Sequence, residues 1–153
     1  MKLNFIIFIC FVSSLIGNNI FAQKDDIRDK IENVKLEKMT AKLSLEEPDK
    51  SAFIEKYKTF SAEMRELVKS RAKVYKEMTA NVDSGESLDS LVVLLLDYES
   101  RISKKRLDFI TDLQTMLTSQ QIAKMIIFER KFNNEIKKIL KQYQKENKKN
   151  FKD

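Results

Sequence analysis

The sequence predicts an all-α chain of four helices, folded as elongated antiparallel hairpins. Three observations carry that expectation. Only Gly17, Gly85 and Pro48 are of the residue types that most strongly punctuate a chain, so long unbroken segments must form. Apolar residues recur at alternating spacings of four and three over stretches of about 30 residues, the period of a helix face and not of a strand. Between two such stretches, Leu117-Thr118-Ser119-Gln120-Gln121 reads as a capping box. In such a box Thr118 accepts the backbone N–H three residues on, and Gln121 reaches back to the N–H of Thr118, so a helix starts without glycine or proline.

A weaker copy of the box lies 72 residues earlier, at Leu45-Glu46-Glu47-Pro48-Asp49. It opens a segment carrying Phe53, Tyr57, Phe60 and Met64, whose counterparts after the second copy are Met125, Glu129, Phe132 and Ile136. The chain therefore reads as a pseudo-repeat.

Residues 1–22 read as a secretory signal peptide. Lys2 supplies the positive start, Phe5 to Ile16 the apolar run, and Ile20-Phe21-Ala22 the cleavage site before Gln23. Asn18 and Asn19 interrupt the apolar stretch, which argues against an uncleaved anchor, and Cys10 lacks the small residues that precede a lipidated cysteine. Residues 23–148 are then one all-helical domain and 149–153 a frayed basic tail. Export places the mature chain in the periplasm with no stable membrane insertion.

The first helix is expected at about 25–43, with Asp25 and Asp26 at its positive end and Ile27, Ile31, Val34, Met39 and Leu43 on its apolar face. The second is expected at about 47–80, where Pro48 is tolerated because a first turn has no internal hydrogen bond to lose. Its stripe runs Phe53, Tyr57, Phe60, Met64, Leu67, Arg71, Val74, Met78. A turn at Asn81-Val82-Asp83-Ser84-Gly85-Glu86-Ser87 leads to a third helix at about 88–116, striped by Leu88, Leu91, Leu95, Tyr98, Ile102, Lys105 or Arg106, Phe109, Leu113 and Met116. The fourth, at about 119–148, shows Ile122, Met125, Glu129, Phe132, Ile136, Ile139 and Tyr143.

Each long stripe carries one charged residue: Arg71, Arg106 and Glu129. A fold about Ser119 sets Arg106 opposite Glu129, and one about Ser84 sets Arg71 opposite Asp97 with Glu99 close by. These read as ion pairs that fix helix register, or as a polar patch for a partner. Thin hairpins leave Leu94, Leu96, Ile126, Ile127 and Phe128 beside the seams, to line a partner surface or to be buried in a homodimer.

Composition narrows the chemistry. Beyond residue 22 there is no cysteine and no histidine, which removes disulfides, thiolate or imidazole metal sites and Cys–His or Ser–His catalysis. No cofactor-binding or metal-binding constellation is present, and convergent carboxylates for acid–base work are not expected on thin hairpins. The net charge of +6 becomes +5 without Lys2. Much of that excess sits in 137–153, where seven lysines face Glu146 and Asp153, as a solvated helix end or a contact surface for acidic partners. No aromatic interleaving or groove-reading motif points to nucleic acid.

Lys42-Leu43-Ser44-Leu45 with the acidic residues that follow, then Phe53, Tyr57 and Phe60, and later Leu117, Thr118 and Gln121 with Glu129 and Phe132, resemble the Spy/CpxP superfamily of LTxxQ-motif periplasmic proteins. The likeness is nearest to Bacteroidetes-type members labelled sensors of ECF-type sigma factors, and it covers nearly the whole mature chain. The first motif departs from the pattern, with Glu46 for the threonine, Asp49 for the glutamine and Ile54 for a tryptophan. The resemblance implies a helical-hairpin fold, a cradle-shaped antiparallel dimer and an envelope-stress role. Two functions follow from it: an ATP-independent holdase-like chaperone for unfolded clients, or an adaptor that binds one envelope sensor.

Overall fold

A computed structural model describes residues 22–150, with side-chain environments for residues 27–144. Those residues form four helices and no strand: α1 (Ala22–Leu43), α2 (Asp49–Asn81), α3 (Leu88–Leu113) and α4 (Ser119–Asn150). The expected signal peptide lies outside the described residues except at Ala22, where α1 starts. Of the expected tail, residues 149 and 150 continue α4 and residues 151–153 lie outside the described residues. The chain divides into two units, residues 1–36 and 37–153, a boundary that falls inside α1 and inside the segment read as one domain. In the first unit the helical stretch carries Ile27, Ile31 and Val34 along one side.

Within residues 37–153, α1 stops at Leu43 because Ser44 adopts a left-handed conformation, φ 54°. The Leu45 N–H then bonds the Thr40 carbonyl at 3.1 Å and the Ser44 N–H bonds the Ala41 carbonyl at 3.2 Å, which is the Schellman arrangement with serine where glycine is usual. Four residues on, the Glu47 carboxylate accepts the N–H of Ser51 at 3.2 Å and its hydroxyl at 2.6 Å, satisfying a donor of the first turn of α2.

The turn between α2 and α3 rests on two left-handed residues, Gly85 (φ 73°) and Ser87 (φ 57°). The Ser84 hydroxyl and the Gly85 N–H both donate to the carbonyl of Asn81, closing α2. Helix α3 ends three residues earlier than expected, at Leu113. Its last turn tightens there, with the N–H groups of Thr115 and Met116 each bonding a carbonyl three residues back.

Helices α2 and α3 pack side by side and antiparallel. Lys56 bonds Asp112 at 2.7 Å, Lys105 pairs with Glu63, and Arg71 lies 3.7 Å from Glu99, so three cross-helix ion pairs step along the seam. Between the first two, Phe60 stacks on Phe109 with ring centroids 4.0 Å apart, and Tyr57 meets Phe109 edge-on. No other pair of described helices brings its backbones together comparably.

Burial is uneven along that pair. Where the helix ends converge, Met39, Leu43, Phe53, Tyr57, Phe109, Leu113, Leu117, Ile122 and Met125 are all buried. Toward the Gly85 turn only Val74, Leu91 and Ile102 are. Each fully buried side chain of this size stabilises by about 1.5–3 kcal/mol. The convergent end therefore holds most of the hydrophobic stabilisation of residues 37–153.

Candidate functional site

The two motif segments come together at the convergent end. Thr118 and Gln121 form the reciprocal box: the Thr118 N–H donates to Gln121 Oε1 at 3.0 Å, and the Gln121 N–H donates to Thr118 Oγ1 at 3.2 Å. The other end of the Gln121 amide does more. Its Nε2 donates to the carbonyl of Leu43 at 3.0 Å, tying the start of α4 to the end of α1. Leu117, the first residue of that motif, is buried.

In the first motif, Leu45 is half-buried and serves through its backbone in closing α1, while Glu46 and Asp49 are exposed. Their side chains do not reproduce the box. Glu47 and Ser51 supply the cap bond instead, one residue later and through a four-residue spacing.

Two charged positions take partners other than those expected. Glu129 does not face Arg106: its Oε1 accepts the hydroxyl of Tyr57, its own counterpart in the pseudo-repeat, and Arg106 stands exposed. The reason is the course of α4, which does not run back along α3. Tied to Leu43 by Gln121, α4 presents Ile122, Met125 and Glu129 to the cluster that contains Tyr57. In the α2–α3 seam Arg71 takes Glu99, and Asp97 is held instead by Arg101 on its own helix at 3.5 Å. The sequence had placed Glu99 only beside that pair.

Of the expected partner-surface residues, Leu94, Leu96, Ile126 and Ile127 are exposed, Ile127 by 56%. Phe128 is half-buried and stacks on Phe132, one turn along α4, with centroids 5.7 Å apart. Val93, Leu107 and Leu140 are also exposed and were not singled out from the sequence. Their signal was present as apolar residues off the main stripe, which periodicity alone assigns to solvent.

Two open depressions of about 700 and 560 Å³ lie along one flank of α2 and α3 and share Glu63, Lys105 and Asp108. Three of the carboxylates there are engaged by lysines: Glu63 by Lys105, Asp108 by Lys104 at 3.1 Å and Asp112 by Lys56. Among the described residues no group of three metal-ligating side chains is assembled, and no helix is long and apolar enough to cross a membrane. No family model, curated protein or solved structure matches the chain.

Proposed function

We propose that this protein is an exported, periplasmic envelope-stress protein of the Spy/CpxP type, an ATP-independent holdase that binds unfolded clients weakly as a cradle-shaped dimer of elongated helical hairpins. The observation that carries the reading is the set of large apolar side chains left exposed on α3 and α4, interleaved with exposed cations such as Lys104, Lys124, Arg130 and Lys131. Such a surface attracts an unfolded chain in two ways. Apolar contacts hold its hydrophobic segments, and the lysines draw its acidic segments over a screening length of roughly 8 Å at physiological ionic strength. The reciprocal Thr118–Gln121 bonds support the family reading, since they give the LTxxQ residues a structural task.

The test is light scattering of a heat-unfolded client with equimolar protein at two salt concentrations. Protection without ATP, weaker at high salt, is expected. Absent protection at both, with tight capture of one envelope protein, would replace the holdase by the adaptor. Export is checked separately: N-terminal sequencing of the secreted protein should begin at Gln23.

A further inference from the structure

The α2–α3 pair ends, beside the Gly85 turn, in a surface that its own core leaves uncovered. Leu91 to Leu96 are six consecutive apolar residues, so the opening turns of α3 are apolar on every side, the pattern of a helix covered all round. Of the six only Leu91 is buried. Val93 is 68% exposed, Leu96 60%, Val92 43% and Leu94 40%, and Val82 in the turn is 60% exposed. At about 100° per residue, Val92, Leu96 and Val93 fall within one arc of about 100°, turned away from Leu91. A concentrated exposed patch of this kind marks an interaction surface.

The charges around the patch say what covers it. Between Lys76 and Arg101 stand Glu77, Asp83, Glu86, Asp89, Asp97 and Glu99, and no lysine or arginine. Asp97 is held by Arg101 and Glu99 by Arg71. The other four are exposed, and Asp89 lies one turn before Val92 and Val93 on the same arc. This is the reverse of the chain as a whole, whose net charge is +6. Two such ends laid together, or one laid on an anionic bilayer, would set carboxylates against negative charge. An extended peptide needs a sheet edge, and the described residues contain no strand. A helix does fit, with an apolar stripe on Val92, Val93 and Leu96 and with lysines or arginines on its flanks to meet the carboxylates.

We infer that the opening turns of α3, with the turn before them, form a docking surface for a cationic amphipathic helix. The inference rests on the client-binding reading, since it uses part of the same exposed surface, and it gives that part its own partner chemistry. In that reading Lys104, Lys124, Arg130 and Lys131, farther along α3 and on α4, draw acidic segments. This end draws basic ones.

The experiment measures the fluorescence anisotropy of a labelled peptide of about 18 leucines, alanines and lysines, long enough to form an amphipathic helix, and of its twin with glutamate for every lysine. Because the protein is cationic overall, undirected attraction favours the twin. The lysine peptide should nevertheless bind at least about tenfold tighter. Val93→Gln with Leu96→Gln should weaken its binding about tenfold and leave the salt dependence unchanged. Glu77→Gln with Asp83→Asn and Glu86→Gln should weaken it and flatten the salt dependence. All five sites are exposed and glutamine favours helix, so circular dichroism should stay unchanged in both variants. Equal or tighter binding of the glutamate twin, or lysine-peptide binding indifferent to both variants, would overturn the inference. Client protection is read by light scattering on the same proteins. Selective peptide binding without protection would uphold this surface and end the holdase reading, and protection without selectivity would do the reverse.

Discussion

The turns at residues 45–49 and 117–121 open equivalent helices of the pseudo-repeat by different means. The later one uses a threonine and a glutamine that satisfy each other, and the glutamine has a hand left over for Leu43. The earlier one splits the work: Ser44 closes α1 through its backbone angle, and Glu47 then caps α2 through Ser51. Downstream the two copies converge again. Phe53 and Met125 are both fully buried, and Tyr57 donates its hydroxyl to Glu129, so equivalent positions of the repeat end up touching. The two copies thus place their core alike, while the chemistry of each helix start differs.

The largest test of that convergence is in the core. Phe53→Ala should cost about 3–5 kcal/mol and Met125→Ala about 2–5, both read from denaturant midpoints at constant slope. A loss below about 1 kcal/mol at either would mean that the copies do not share one cluster. Next comes the residue that sets the copies apart: Gln121→Ala removes a cap bond and the link to Leu43 and should cost roughly 2 kcal/mol. Tyr57→Phe, which deletes the hydroxyl on Glu129, should cost about 1–2 kcal/mol. Thr118→Ala should cost on the order of 1 kcal/mol with helical content nearly intact, and an unchanged midpoint would assign the threonine to a partner and not to the fold. Smallest of all, Glu47→Ala should cost about 0.5 kcal/mol, because its bonds are exposed. A Glu47 effect equal to that of Gln121 would erase the contrast.

Much of the fold was legible in the sequence, for physical reasons. The four helices follow from periodicity and scarce turn residues, and the three breaks between them, at 44–48, 82–87 and 114–118, fall within a few residues of where the sequence set them. A stripe states which face of a helix is buried but not against what. That is why Glu129 was set opposite Arg106 when its partner is Tyr57, and why α4 was folded along α3. The same limit applied to the surface. Leu96 was visible as a leftover, but Val93 and Leu107 gain meaning only once α3 is known to face α2 with its other side. Phe128 is half-buried because Phe132, one turn on, is close enough to stack with it, a contact within one helix that a stripe does not announce.

Gln121 joins two helix ends of opposite polarity. The carbonyl of Leu43 belongs to the electron-rich end of α1 and the N–H of Thr118 to the electron-poor entrance of α4, and one carboxamide spans them with its nitrogen toward the first and its oxygen toward the second. A capping box by itself accepts glutamate as readily as glutamine. This position does not, because a carboxylate has no hydrogen to offer Leu43 and would set negative charge against its oxygen. Hydrolysis of this single amide to the acid, a change of one mass unit, would thus leave α4 capped while uncoupling it from α1.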